Sequence, residues 1–152
     1  MLFLFIFSIK AGVEFGFNQP VIGFDLNHQS GIVYKLFCGK EYNFLKIHLG
    51  IGGSYYQGKN TGYSFTTYGL KFDMVKAKWR YAPFFDTGLD YVVRELNKNK
   101  ETGLAFVYGF GLLVNFNYEK LNLYPAFFYN GLTDFKKAGG NLGMKFGVVY
   151  AF

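Results

Sequence analysis

The feature that most constrains this chain is an alternation of side-chain size with a period of two residues. In residues 104–116, LAFVYGFGLLVNF, the positions of one parity, here the even-numbered ones, are bulky and apolar throughout. The odd-numbered positions hold Gly109, Gly111 and Asn115 among smaller side chains. The last segment, residues 142–152, repeats the pattern. Successive side chains of a β-strand point to opposite faces, whereas a helix repeats every 3.6 residues. The pattern therefore predicts strands with one bulky apolar face and one narrow, polar face.

The alternation recurs along the chain and predicts an all-β fold of eight strands. Six strands are clear from about Phe44 onward, in residues 45–55, 66–74, 79–93, 104–116, 121–129 and 142–152. Two more are expected near residues 11–26 and 31–38, with a first loop at residues 27–30 and an interruption or bulge at Pro20. The predicted polar connections at residues 58–62, 95–103 and 131–140 are longer than the others. This predicts an up-and-down meander with short turns at one end and longer loops at the other.

The composition favours a closed antiparallel transmembrane β-barrel over a water-soluble, lipocalin-like barrel. Aromatic residues make up 22% of the chain, and 20 of its 152 residues are glycine. An eight-stranded barrel is only wide enough inside for side chains, so bulky rows from every strand would overfill it. We therefore expect the bulky face to meet lipid. Trp79, Tyr81, Tyr150 and Phe152 fall at predicted strand ends, where aromatic girdles lie at membrane interfaces.

The opposite face then fills the lumen with glycines and with charges of both signs that pair with one another. The predicted lumen charges are Lys46, His48, Lys71, Asp73, Arg80, Asp86, Asp90, Arg94 and Lys145. We expect His48 to be hydrogen-bonded there rather than to bind a metal, because no Cys or second His keeps a ligand spacing with it. The sequence predicts no metal site and no cofactor.

Residues 11–152 are expected to form a single barrel domain. Residues 1–10 are either the remnant of a secretory signal peptide or an extension of the first strand. At the end of the chain, Lys145, Gly147, Tyr150 and Phe152 resemble the C-terminal assembly signature of outer-membrane barrels. The resemblance implies recognition by the barrel-assembly machinery and residence in the bacterial outer membrane. The last strand must also pair with the first, because an unpaired edge cannot face lipid.

Three stretches resemble strands of the lipid A 3-O-deacylase family, which are small eight-stranded barrels: QSGIVYKL at 29–36, APFFDTGLDYV at 82–92 and FVYGFGLLVNF at 106–116. That family carries a His-x-Ser-Asn motif on its seventh strand and a carboxylate early on its eighth. The corresponding residues 126–134, AFFYNGLTD, contain neither His nor Ser, and Asn141 or a neighbour stands where the acid would be. The resemblance implies the fold and argues against the activity.

His28 and Ser30 are the remaining catalytic candidates, because they keep the His-x-Ser spacing with Asp25 nearby. The alternative is a polar surface loop, which is favoured because so short a match is common by chance. An enzyme that used them would be a lipid A-modifying ester hydrolase.

The formal net charge is +6, and basic residues crowd the three longer loops at Lys59, Lys98, Lys100, Lys136 and Lys137. These residues meet the phosphates of lipopolysaccharide if the loops face outward, or are ordinary solvated side chains. Dispersed basic residues argue against nucleic-acid binding. We expect a monomeric, non-catalytic outer-membrane barrel that anchors, stabilises the leaflet or contacts partners through its loops. A lipid A hydrolase and a small pore are the alternatives.

Overall fold

The computed structural model describes residues 9–22, 28–42, 44–58, 63–133 and 138–152, without the side chains of His28, Gln29, Tyr63 and Leu96. In these residues the chain forms one antiparallel sheet. Its strands are β1 (Ile9–Ile22), β2 (His28–Glu41), β3 (Leu45–Gly58), β4 (Tyr63–Lys76), β5 (Tyr81–Leu96), β6 (Asn99–Val114), β7 (Phe116–Tyr118), β8 (Leu121–Thr133) and β9 (Ala138–Ala151). No helix in the described part of the chain is long and apolar enough to cross a membrane.

The sheet closes on itself, as the sequence predicts. Successive strands pair with one another, and β1 pairs with β9 from Lys10–Ala151 to Ile22–Gly140. The amide nitrogen of Phe152 donates a hydrogen bond to the carbonyl oxygen of Ile9 at 3.0 Å. A register shift between Pro20 and Ile22 gives the expected irregularity, because proline cannot donate to the ladder. The pairing leaves no unpaired edge between the first and last strands.

Segments β6 and β7 are two parts of one strand, so the described residues form eight strands. Both segments pair with β8, and Asn115 lies between them. The Asn115 side chain donates a hydrogen bond to the Trp79 carbonyl oxygen at 2.7 Å, and its backbone nitrogen donates to the Arg80 carbonyl oxygen at 2.8 Å. These two bonds hold the turn before β5 against the interrupted strand. The predicted closed, eight-stranded meander is confirmed.

The bulky apolar side chains face outward, as predicted. Along β6, Leu104 and Phe110 are 73% and 56% exposed, whereas the intervening Ala105 and Val107 are buried. The outward apolar residues of this strand extend from Leu104 to Val114. Ten residue steps at about 3.4 Å each, tilted by about 40°, give a band roughly 26 Å high. That height suits the hydrocarbon layer of an outer membrane.

Three loop predictions are wrong because strands extend further than apolar alternation reveals. In the expected connection at residues 131–140, β8 continues to Thr133 and β9 begins at Ala138. The first loop was expected at residues 27–30, but β2 already begins at His28, while Asn27 lies outside the described residues. Residues 95–103 were expected to form a long loop, but β5 and β6 continue to a two-residue turn at Asn97 and Lys98. Both turn residues have left-handed φ angles, 48° and 73°, which suit the twist of a tight hairpin. This hairpin projects into water, so its strands need no apolar face.

The barrel has two distinct ends, although loop length does not separate them as predicted. The terminal end holds Ile9, Phe152 and the turns β2–β3, β4–β5 and β7–β8; the hairpin end holds the Asn97–Lys98 turn. At the hairpin end, the strands continue past the apolar band with exposed Glu95, Lys100 and Thr102. At the terminal end, the band stops at aromatic residues beside the turns. The two ends therefore differ in how far the sheet projects beyond the apolar band.

Placing a charge in the apolar band should unfold the barrel more readily than placing it beyond the band. We expect Phe110→Arg to lower the free energy of unfolding by about 2–4 kcal/mol relative to Phe110→Ala, because Arg would face hydrocarbon at mid-depth. Thr102→Arg, on the same face of β6 beyond the band, should cost about 0–1 kcal/mol relative to Thr102→Ala. Urea unfolding of protein folded in lipid vesicles measures both. Equal costs at the two positions would contradict an outward lipid face.

Candidate functional site in the barrel lumen

A chain of alternating charges crosses the lumen and forms what we call the central network: Glu14, Lys35, Asp73, Asp86 and Lys145. The Lys35 Nζ atom contacts Glu14 Oε2 at 2.8 Å and also contacts Asp73. The Lys145 Nζ atom lies 3.0 Å from Glu14 Oε2 and 3.6 Å from Asp86 Oδ2. The five residues come from β1, β2, β4, β5 and β9, and the Lys35–Asp73 and Lys145–Asp86 contacts join strands that do not pair with one another.

The central network is almost shielded from water. Glu14 and Lys145 are 6% exposed and Asp73 is 3% exposed. Burying a charge is costly unless an opposite charge and hydrogen bonds compensate it. Each of the two ammonium groups contacts two carboxylates, which gives that compensation. The arrangement suits a structural plug, in which the ions hold one another in place.

Aromatic rings surround the central network and fill much of the remaining lumen. The Tyr124 hydroxyl donates a 2.5 Å hydrogen bond to Glu14 Oε1. The Lys145 Nζ atom lies 4.4 Å from the ring centre of Phe84 and 5.6 Å from that of Phe128. An ammonium group over a ring face is attracted by the ring's quadrupole. The lumen is thus packed with rings as well as with glycines and ions.

His48 closes the network on the side of the terminal end. Its Nδ1 atom lies 3.7 Å from Asp73 Oδ2, and its ring lies 4.6 Å from that of Phe37. Lys35 lies over the same Phe37 ring at 5.1 Å. His48 is therefore enclosed by a carboxylate and a ring within the lumen wall.

Glycines opposite the long side chains provide the space that the central network needs. A Cβ atom at Gly147 would lie 2.1 Å from the Tyr124 ring, and one at Gly109 would lie 2.2 Å from Asp86 Oδ1. Both distances are far shorter than van der Waals contact. Small residues on one strand thus pack against large ones on another, which explains why the inward parity is rich in glycine.

Two of the cavities lined by described residues lie on opposite sides of the central network. The larger, about 70 Å³, faces the hairpin end and is lined by polar groups that include the Lys71–Asp90 ion pair. It has room for a few water molecules. Within the described residues, the buried Oδ1 atoms of Asn18, Asn130 and Asn141 have no hydrogen-bond partner. The smaller cavity, about 20 Å³, is lined by Lys46, His48 and other residues of the terminal end. The network separates these cavities.

The structure places most of the predicted lumen charges inside the barrel. His48, Asp73, Asp90 and Lys145 are buried, and partly buried residues at inward positions are Lys46, Lys71, Asp86 and Arg94. Arg94 lies near the hairpin end, with Nη1 3.9 Å from Glu101 Oε2. Arg80 must be corrected, because it is exposed in the turn before β5 and its guanidinium lies 5.9 Å from the outward Tyr81 ring. The expected strand began at Trp79, whereas β5 begins at Tyr81. The alternation was therefore extended into the turn, which assigned Arg80 to the inward face.

Sequence reasoning missed Glu14 and Lys35, the two network members on β1 and β2. The signal was present in GVEFGFN, residues 12–18, where Glu14 alternates with exposed Val13 and Phe15. Because the bounds of the first two strands were uncertain, the two charges could not be assigned to the inward face.

The catalytic candidates His28 and Ser30 lie at the start of β2. His28 is the first residue of β2, and Ser30 is exposed on the same strand. Asp25 lies outside the described residues. The structure therefore brings no described imidazole and carboxylate together around Ser30.

The predicted basic loop residues are only partly within the described structure. Lys98 lies in the two-residue turn, and Lys100 must be corrected from a loop to strand β6. Lys59, Lys136 and Lys137 lie outside the described residues. The described part of the hairpin end thus offers two exposed lysines beside the acidic Glu95 and Glu101.

The four residues of the C-terminal signature fall into two structural groups. Lys145 belongs to the central network, and Gly147 gives space to Tyr124. Tyr150 and Phe152 are exposed at the terminal end, with ring centres 5.2 Å apart. Half of the signature is thus explained by packing of the lumen, and the other half faces outward.

Comparison with solved structures shows which architecture this lumen belongs to. The chain shares its fold with small bacterial barrels. Neisserial surface protein A is 14% identical with a TM-score of 0.56, covering 96% of this chain and 97% of that chain. The N-terminal β-barrel domain of Pseudomonas aeruginosa OprF is 9% identical with a TM-score of 0.58, covering 95% and 99%.

A third similar structure is that of Ail, the attachment invasion locus protein of Yersinia pestis, in complex with the heparin analogue sucrose octasulfate. It is 14% identical with a TM-score of 0.62, covering 95% of this chain and 99% of Ail. No protein-family model and no curated protein sequence matches the chain. These findings do not connect the chain specifically with the lipid A 3-O-deacylase family, so that resemblance holds only for the barrel fold.

Removing one cation from the central network should destabilise the barrel strongly. Lys35→Met deletes the ammonium group between Glu14 and Asp73, and breaking a buried ion pair from one side costs about 3–5 kcal/mol. Urea unfolding of the refolded protein measures the loss. Adding Glu14→Gln should recover part of it by removing an uncompensated charge. Lys100→Met, which removes an exposed cation, should change stability by less than about 0.5 kcal/mol. Similar losses for both lysines would contradict a structural network.

Gly147 tests whether the C-terminal signature includes a packing requirement. Gly147→Ala should cost about 1–3 kcal/mol, because the new methyl group would overlap the buried, hydrogen-bonded Tyr124 ring. Gly103→Ala is the matched control, because its Cβ would meet nothing within 4 Å. Urea unfolding of the purified, refolded protein, without assembly factors, measures the stability of both variants. An unchanged stability for Gly147→Ala would leave recognition by the assembly machinery as the reason for this glycine.

Proposed function

We propose that this chain is a non-catalytic barrel of the bacterial outer membrane, with a sealed lumen, that acts through its outer surfaces. The observation that carries the proposal is the combination of a continuous outward apolar band with a lumen crossed by buried ion pairs. The band requires a lipid environment, and the ion pairs occupy the space that a pore or a substrate would need.

Residence in the outer membrane is supported by the shape and surface of the barrel. The apolar band has the height of the hydrocarbon layer, and closed barrels are the β-structures that satisfy every backbone group in lipid. The solved barrels with the same fold are bacterial outer-membrane proteins. The terminal end then faces the periplasm, because the longer polar projection lies at the hairpin end and such barrels extend further on their extracellular side.

A sealed lumen argues against the pore. The two cavities lie on either side of the central network, and Phe84, Phe128 and Tyr124 close around it. A conducting path would require these buried rings and ion pairs to separate. The barrel is then a membrane-anchored scaffold rather than a channel.

The acids of the lumen are better suited to structure than to catalysis. Glu14, Asp73, Asp86 and Asp90 each contact an ammonium group. A carboxylate or imidazole acts as a general base only when it lies within reach of the nucleophile's proton. The seventh-strand region lacks the His and Ser of the deacylase motif. This supports the reading that the shared fold is used without acyl hydrolysis.

Contact with lipopolysaccharide or with the barrel-assembly machinery remains part of the proposal. The similar Ail structure contains a sulfated heparin analogue, which shows that a barrel of this fold has been observed with a polyanion. Lys98 and Lys100 are exposed cations at the hairpin end, which the proposal places on the extracellular side, and Lys59, Lys136 and Lys137 are predicted to lie there too. Tyr150 and Phe152 are the exposed residues available to the assembly machinery.

Cell fractionation and bilayer recordings test the proposal together. We expect the protein in the outer-membrane fraction, with heat-dependent electrophoretic mobility of a folded barrel, and no conductance steps after insertion into planar bilayers. Lipid A extracted from producing cells should be unchanged by mass spectrometry. Discrete conductance steps would favour the pore, and the loss of an acyl chain from lipid A would favour the hydrolase. A water-soluble folded monomer would contradict the membrane location.

A further inference from the structure

The outer surface of the terminal end carries basic side chains stacked against aromatic rings. Lys76 Nζ lies 5.1 Å from the ring centre of Trp79 and 5.8 Å from that of Phe44. Lys40 Nζ lies 5.0 Å from Tyr42. We call this group, with Arg80 and Tyr81, the basic–aromatic belt; its residues are Lys40, Tyr42, Phe44, Lys76, Trp79, Arg80 and Tyr81. The rings are all exposed, so these contacts do not belong to the barrel core.

The turns of the terminal end bring the belt together. The Ala77 amide nitrogen donates to the Phe44 carbonyl oxygen at 3.0 Å, which ties the β4–β5 turn to the β2–β3 turn. The backbone bonds from Asn115 hold Trp79 and Arg80 from the other side. The belt is therefore presented on an ordered part of the barrel rim.

Charge is distributed unequally between the two ends of the described chain. Exposed or partly buried cations on the outer rim of the terminal end are Lys40, Lys76, Lys78, Arg80 and Lys120. The described acids of that end are Glu119 and Glu41, and Glu41 pairs with Lys10. At the hairpin end, the described cations Arg94, Lys98 and Lys100 are largely offset by Glu95 and Glu101. Within the described residues, the larger excess of positive charge thus lies at the end that carries Ile9 and Phe152.

Two cations of the belt have no acidic partner in the part of the chain that the structure describes. Among the described residues, neither Lys76 nor Arg80 forms an ion pair with a carboxylate. Lysine and arginine side chains at a membrane boundary place their stems against apolar surface and their charges among the headgroups. A tryptophan at the same level lies at the interface between hydrocarbon and headgroups. The belt therefore positions cations at the depth of lipid phosphates.

We propose that the basic–aromatic belt binds the phosphates of anionic phospholipids in the leaflet beside the terminal end. This inference rests on the proposed membrane location, in which that leaflet faces the periplasm. The rings set the depth of the belt in the bilayer, and Lys76 and Arg80 contact the headgroup phosphates. The lipid preference then adds to the hydrophobic anchoring of the band and fixes the barrel's vertical position.

Trp79 allows a direct test because it is the only tryptophan in the chain. The protein is folded into vesicles made of equal fractions of phosphatidylglycerol and phosphatidylcholine. In each sample only one of the two lipids carries bromine. Bromine quenches indole fluorescence at short range, so the ratio of quenching reports which lipid lies beside Trp79. We expect brominated phosphatidylglycerol to quench more strongly than brominated phosphatidylcholine.

Charge removal should weaken the preference for phosphatidylglycerol only at the terminal end. Lys76→Gln and Arg80→Gln should each lower the relative affinity for phosphatidylglycerol about five-fold, the effect expected for one cation near an anionic surface. The controls are Lys98→Gln and Lys100→Gln, each of which makes the same change in net charge at the hairpin end and should leave the preference intact. Added sodium chloride should weaken the preference by screening.

The outcomes separate this inference from the proposed function. A folded, inserted barrel whose Trp79 is quenched equally by both lipids would overturn the belt while leaving the membrane location in place. Competition by sodium phosphate beyond that of sodium chloride at equal ionic strength would assign the cations to a free anion and also overturn it. Failure to insert into any vesicle, shown by unchanged electrophoretic mobility on heating, would contradict both proposals.

Discussion

The narrow lumen is the constraint on which the rest of this structure depends. Eight strands enclose just enough space for side chains, so a long residue on one strand requires a small one opposite. Gly147 beside Tyr124 and Gly109 beside Asp86 show this exchange of volume. Once glycines occupy the inward parity, the bulky residues must lie on the outward parity. The same constraint therefore produces the filled lumen and the apolar exterior.

The period-two pattern was sufficient to predict the barrel, its strand number and its outward face, because a bilayer demands regular alternation wherever a strand crosses it. Prediction failed where the strands leave that environment. The Asn97–Lys98 hairpin is exposed on both faces, so nothing in its sequence distinguishes strand from loop. Arg80 was misplaced for a related reason, since alternation was extended two residues beyond the start of β5.

The candidate site was predictable in kind but not in detail. Inward charges of both signs imply ion pairs, yet their partners depend on the relative heights of strands that are far apart in sequence. Tyr124 and Glu14 are separated by 110 residues, and their contact follows from closure of β1 onto β9 and of β9 onto β8. No local pattern contains that information. The alternation around Glu14 and Lys35 nevertheless places both residues on the inward face. Correct bounds for the first two strands would have been enough to predict both as lumen charges.

The central network also helps to specify the register of the sheet. Replacing a buried ion pair by apolar residues often leaves stability unchanged or improves it, so stability alone does not explain the presence of five charges in the lumen. A slip of one residue along a strand, however, exchanges its two faces. Such a slip in β9 would move Lys145 from Glu14 into hydrocarbon, at a cost of about 2–4 kcal/mol for one cation at mid-depth. The corresponding slip in β2 would expose Lys35 to lipid and separate it from both Glu14 and Asp73. Charges in the lumen thus penalise the misaligned barrels that an apolar interior would tolerate.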